Sequence, residues 1–174
     1  MTRALPFLLL AFASGASADD GVRAKVLDHL SAYDDATTAA EWQAMGASAG
    51  DELFAIARDT SALPSRRQGA TQALGWFPSE AHHVFLTALV VDETADGGMR
   101  RGACHALVNG WGDAAVSDVT RALASADEQL RNQASRALGR LGTPVATAAL
   151  EARLPSEPSE MVRAAIRGSL GSKE

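Results

Sequence analysis

The sequence predicts an all-α fold, a solenoid of about five antiparallel helix pairs, and three observations carry that reading. The first is a repeat. In Leu130 to Gly142 (LRNQASRALGRLG), Leu130 stands one before Arg131, Ala134, Ala137 and Leu138 stand three, six and seven after it, and Gly139 follows. The same count from Arg67 meets Ala70, Ala73, Leu74 and Gly75; from Arg100 it meets Met99, Ala103, Ala106 and Leu107; from Arg163 it meets Val162, Ile166, Ser169, Leu170 and Gly171. The four arginines lie 33, 31 and 32 residues apart, a period that marks stacked supersecondary units, none able to bury its apolar face alone. Second, apolar residues recur at helical spacing from end to end. Third, the strict alternation of β-branched and aromatic residues that marks strands is missing, so no sheet is expected.

Met1 to Ala18 (MTRALPFLLLAFASGASA) has one basic residue, an apolar run from Leu5 to Ala13, and small residues ending Ala16-Ser17-Ala18. That is the pattern of a secretory signal peptide cleaved after Ala18. The run is well short of the roughly 20 residues that span a bilayer, so no stable membrane anchor is expected after cleavage. Residues 19–174 then form one repeat domain: a degenerate N-terminal copy over 19–50, and clearer copies over 51–78, 79–112, 113–142 and 143–174. The expected location is outside the cytoplasm, periplasmic or extracellular.

The elements follow in order. Val22, Val26, Leu27, Leu30 and Tyr33 mark the first helix. Thr38 to Gly46 is the second, opened by a capping box of Thr38 and Glu41. Asp51 to Arg58 is acid-first and base-last, which complements the helix dipole. Pro64 leads into the Arg67 helix, and Pro78 with Ser79 separates it from an apolar helix, Glu80 to Val91. Gly97 and Gly98 precede the Arg100 helix; Gly112 and Asp113 introduce Ala114 to Leu123 with its Val116, Val119, Ala122 and Leu123 stripe. Ser125 and Glu128 suggest a second capping box before the Arg131 helix. Thr143 and Pro144 are an N-cap with proline at the first helical position, opening Val145 to Leu154. Pro155 and Pro158 then lead to the last helix, which closes at Gly171.

Net charge is −5, which argues against a general nucleic-acid binder. The imbalance is local: residues 19–64 hold three basic and nine acidic side chains, whereas 65–174 hold twelve of each. Cys104 is the only cysteine, so no disulfide forms within the chain; its place beside the small-residue face predicts a buried thiol behaving as a small hydrophobe.

An arginine opening a second helix that closes with Ala-Leu-Gly, in hairpins of about 32 residues, resembles the HEAT repeats of the bilin-lyase-like subfamily found in many bacterial proteins. The resemblance covers Asp51 to Gly171 well and Val22 to Gly46 loosely. It implies a right-handed solenoid with the second helix of each pair on the concave side, acting chiefly as an interaction scaffold. Departures from the pattern are Val108 for the closing glycine, Asn109-Gly110 lengthening that turn, and Arg66 at an apolar position; a local bend is expected in the Arg100 repeat.

No catalytic, cofactor or metal site is expected. Gly46-Ala47-Ser48-Ala49-Gly50 matches the nucleophile-elbow motif, but it lies in a linker between helices, not at a strand-to-helix turn. Asp92, Thr94, Asp96 and Gly97 imitate half a calcium loop whose twelfth position is Ala103 rather than a carboxylate. His82 and His83 diverge by about 100° on a helix, and neither they nor His29 and His105 make a zinc motif. Arg67, Arg100, Arg131 and Arg163 read as a structural ladder paired with the acids Asp59, Asp92, Asp127 and Glu160 of the preceding turns.

Positions one, five and nine after each ladder arginine should face outward together. They are Gln68, Gln72 and Trp76; Arg101, His105 and Asn109; Asn132, Arg136 and Arg140. The result is a polar, mildly basic groove with one aromatic at its edge, suited to a protein or peptide partner. The functional expectation is therefore an exported, non-catalytic scaffold. The alternatives are a structural cell-envelope protein and an accessory to an enzyme or chromophore-attaching system.

Overall fold

The structure, a computed structural model, describes residues 18–31 and 38–171. Except for Ala18, the expected export segment lies outside these residues, as does Tyr33. Ten α-helices and three 3-10 turns form among the described residues, with no strand. The helices are α1 (Ala18–His29), α2 (Ala39–Ala44), α3 (Ala47–Arg58), α4 (Pro64–Ala73), α5 (Glu80–Val91), α6 (Gly97–Trp111), α7 (Val116–Ala122), α8 (Glu128–Leu141), α9 (Pro144–Arg153) and α10 (Glu160–Gly171).

Local chemistry sets most starts. Thr38 and Glu41 form the reciprocal capping box of α2, Thr143 caps α9 ahead of Pro144, and Ser79 and Asp96 cap α5 and α6. The box expected from Ser125 and Glu128 does not form. Asp127 caps α8 instead, its carboxylate accepting from the Gln129 and Leu130 amides at 2.8 and 3.3 Å, while Ser125 Oγ accepts from the Asp127 amide and Glu128 accepts from Ser159. A short carboxylate immediately before the helix reaches its first free amides; a serine two residues earlier does not. The Gly46 to Gly50 stretch is also not a linker. Gly46, at φ 79°, caps α3, and Ala47 to Gly50 form its first turn.

Two layers result. The second helices α4, α6, α8 and α10 pack side by side, as do α5, α7 and α9; hairpins α3–α4, α5–α6, α7–α8 and α9–α10 join the layers. The ring of Phe54 extends the α5, α7 and α9 layer to α3 by meeting His82 and Phe85 of α5 at 4.9 and 5.4 Å. The first pair is looser: α1 lies on α3, α2 touches the turn at 74–76, and His29 meets Trp42 across the pair.

The repeat positions line the seam. Ala70, Leu74, Ala103, Ala106, Leu107, Ala134, Ala137, Leu138, Val162 and Ile166 are all fully buried. Each buried leucine is worth about 2–5 kcal/mol against alanine, so the spacing read from sequence is the main source of cohesion. Gly75 has a distinct reason. A Cβ there would stand 2.6 Å from the carbonyl oxygen and 2.8 Å from the Cα of Ala106, so α4 and α6 meet backbone to backbone. Val108 and Asn109-Gly110, the departures on which a local bend in the Arg100 repeat was expected, lie within one continuous helix. The helix α6 runs unbroken to Trp111 and ends at Gly112 (φ 55°), while Gly110 packs on the Gly75 carbonyl and keeps the same close crossing one turn further on.

Candidate functional site

The ladder arginines bind backbone more than acids. Arg67 Nε donates to the Ala57 carbonyl at 3.3 Å, and Arg100 Nη2 donates to the Val90 carbonyl at 3.1 Å. Both carbonyls sit in the last turn of the preceding helix, where acceptors are unpaired and the dipole favours a cation. Arg131 Nη1 donates to the Ser125 and Ala126 carbonyls, and Arg163 Nη1 to those of Glu157 and Pro158. Of the four acids expected as partners, only Glu160 pairs, with Arg163 at 2.6 Å. Asp59 and Asp92 instead accept from Ser61 and Thr94 two residues on, bonds that lower both carboxyl pKa values, and Asp127 is spent on its cap.

The carboxylate of Arg131 comes from the following turn. Glu157 is 2% exposed and accepts from Arg131 Nε and Nη2, Arg153 Nε and Nη2, and the Ser159 amide, all within 3.2 Å. Burial alone would raise its pKa; the Arg131, Ser159 and Arg153 bonds together outweigh that and hold it at about 2. Sequence reasoning missed this residue. Its only signal is its place two before Ser159, the residue whose carbonyl accepts the first helical bond of α10.

The other candidate groups are held in structural contacts. Cys104 is buried, and burial pushes its thiol up to about 12. His82 Nδ1 lies 2.6 Å from the Phe77 carbonyl, where it must donate, and His83 reaches Asp118 at 3.1 Å. Asp92 accepts from both Thr94 groups, and Asp96 caps α6 and accepts from Gln68 Nε2 at 3.0 Å. Among the described residues no group of three or more His, Cys, Asp or Glu is placed to hold a metal ion.

The outward positions of the second helices divide between two grooves. Gln68, Gln72 and Arg101 line one of about 370 Å³, together with Gln133, which the sequence pattern did not single out. Arg136 and Arg140 line another of about 830 Å³ between α8 and α10, opposite Met161, Ala164 and Ala165. Asn132 touches Arg136 Nε at 3.4 Å but lines neither groove. Trp76 is half-buried in the turn at 74–76 and packs on the core. His105 is also half-buried, its Nδ1 accepting from Asn109 Nδ2 at 3.1 Å; burial and then the Arg140 charge lower its pKa to about 4, so it is neutral at pH 7.

Charge separates the layers. Helices α4, α6, α8 and α10 carry nine arginines against two glutamates, whereas α3, α5, α7 and α9 carry three against five acids. The ladder occupies four of the nine, and Arg167 pairs with Glu160. Arg101 and Arg140 make no hydrogen bond or ion pair among the described residues, and Arg136 has only the amide of Asn132.

Two layers of helical hairpins with a recurrent arginine define an all-α, HEAT-like repeat array. Residues 90–171, from the last turn of α5 to the end of α10, match the family model of HEAT repeats. Such repeats generally mediate protein interactions and are typically not catalytic. No curated protein matches the chain.

Proposed function

We propose that this is an exported scaffold of the bilin-lyase-like HEAT type that binds a protein or peptide partner through the surface of its second helices. The observation that carries the reading is the excess of arginine on that layer, where Arg101, Arg136 and Arg140 lie outside the ladder and have no acid partner, in a chain whose net charge is −5. Guanidinium groups left unpaired on an exposed face are suited to carboxylates presented by another molecule. The recurrent positions of the repeat, by contrast, are consumed in packing and in tying turns together.

The test is recovery of partners from the cell envelope of the source organism, using the purified protein and a variant carrying Arg101→Ala, Arg136→Ala and Arg140→Ala. The variant is expected to lose the recovered partner while keeping its helical circular dichroism. Equal recovery by both proteins, or no recovery above background by either, would overturn the binding reading. Fractionation of cells expressing the full chain tests export separately, with cleavage after Ala18 and a non-cytoplasmic product as the expected result.

A further inference from the structure

We propose that the groove between α8 and α10 receives an acidic, amphipathic peptide segment of the partner, with carboxylates on Arg136 and Arg140 and an apolar side chain over Met161, Ala164 and Ala165. This rests on the scaffold reading and names the chemistry of what the scaffold holds.

The wall of the groove supplies the charge. Arg136 and Arg140 are both exposed and one helical turn apart, which places their Cβ atoms about 5–6 Å from each other. Carboxylates on alternate residues of an extended peptide are spaced about 6–7 Å apart and match that separation. Arg140 is partly desolvated by the fold, which lowers its pKa, yet no acid of the described residues pairs with it. The acid nearest in sequence on α10, Glu160, is held by Arg163 and Arg167 at 2.6 and 3.0 Å, and so leaves the wall uncompensated. Arg101 on α6 lies in the neighbouring groove and extends the basic surface beyond α8.

The floor supplies the apolar contact. Met161, Ala164, Ala165 and Gly168 fall at helical spacing on one face of α10, and Met161 is 40% exposed. An apolar floor beside a cationic wall fits a segment that alternates acid and apolar residues. A nucleic acid fits less well: the lining has no aromatic ring on which a base could stack.

The test uses the purified protein and a pool of labelled peptides of about a dozen residues, with Asp or Glu at alternate positions and Leu, Met, Val or Phe between. The expected result is binding by fluorescence anisotropy, with NMR shifts at the backbone amides of Gly139, Ala164 and Gly168. Arg136→Gln and Arg140→Gln should each weaken binding about tenfold and flatten its salt dependence, as loss of one charged hydrogen-bonded pair predicts. Arg121→Gln, an exposed arginine on α7, should change nothing. The inference is overturned if the pool does not bind, if Gln-for-acid peptides bind equally, if the shifts fall outside α8 and α10, or if an oligothymidylate of similar length binds more tightly. A photo-crosslinker at Gln72 separates the two readings. A partner captured there while the groove variants bind normally overturns the groove and leaves the scaffold; no capture at any second-helix position overturns both.

Discussion

The junction around Arg131 and the one around Arg100 are built on the same plan, yet only one contains a buried carboxylate. Glu157 and Ser125 each stand two residues before the N-terminal cap of a second helix, and each accepts from the cap residue's amide, Ser159 in one case and Asp127 in the other. Glu157 reaches back to Arg131 with both oxygens; Ser125 offers Arg100 Nη2 a single oxygen at 3.5 Å. Arg100 is 6% exposed, and its Nε is buried without a hydrogen-bond partner. An unsatisfied buried donor on a charged group costs more than a made bond returns. The array thus tolerates two solutions to one problem: a closed ion network near its C-terminal end, and in the middle a cation held by one backbone carbonyl with its Nε left unpaired.

Breaking the closed network should have the largest effect. Glu157→Gln removes the charge that Arg131 and Arg153 share, leaving a buried guanidinium uncompensated, and should cost about 3–5 kcal/mol in urea denaturation. The acid limb of the stability profile should change with it. The folded carboxyl pKa of about 2 lies below the ordinary 4.5, so its contribution is complete above pH 4.5 and is lost as pH falls through about 2. The variant should lack that slope. A cost below about 1 kcal/mol would show that the network breaks even against its own desolvation.

Converting the open junction into the closed one should have a smaller effect of opposite sign. Ser125→Glu brings a carboxylate to the Arg100 guanidinium. A double-mutant cycle with Arg100→Met should show a favourable coupling of about 1–3 kcal/mol. Zero coupling would mean that the two turns differ in more than the residue at this position.

The packing positions of the repeat are legible in the sequence, and the partners of its arginines are not. Ala134, Ala137 and Leu138 and their counterparts were readable because helical periodicity alone decides which positions share a face. The partners of the ladder arginines were not, because stacking decides which turn arrives beside each guanidinium. Asp59 and Asp92 looked available and are instead taken by Ser61 and Thr94, an Asx-turn preference that local sequence does contain. Glu157 lies 26 residues beyond Arg131 and meets it only when α8 and α10 pack. The same limit applies to the surface: spacing placed Arg136 and Arg140 on one outward face, but the floor of Met161, Ala164 and Ala165 depends on which helix lies opposite. Trp76 had the right register for the edge of a groove, and the 3-10 turn at 74–76 carries it against the core instead.

The smallest effect concerns a buried base rather than a buried acid. Glu157 is kept charged by its donors; His105 is kept neutral, first by burial and then by the charge of Arg140. Its folded pKa of about 4 lies below the ordinary 6.5, so between those values the unfolded chain binds more protons. Stability from this group is therefore complete above pH 6.5 and falls as pH drops toward 4, by about 1–2 kcal/mol once solvent screening is allowed for. His105→Gln should remove that slope and leave the lower-pH limb of Glu157 intact. The histidine also reports on its neighbour. Arg140→Gln should raise the His105 pKa in an NMR titration while leaving it below 6.5, because burial is the larger cause. A carboxylate docked on Arg140 should move the same resonance in the same direction, so a His105 pKa indifferent to both changes would uncouple it from the arginine.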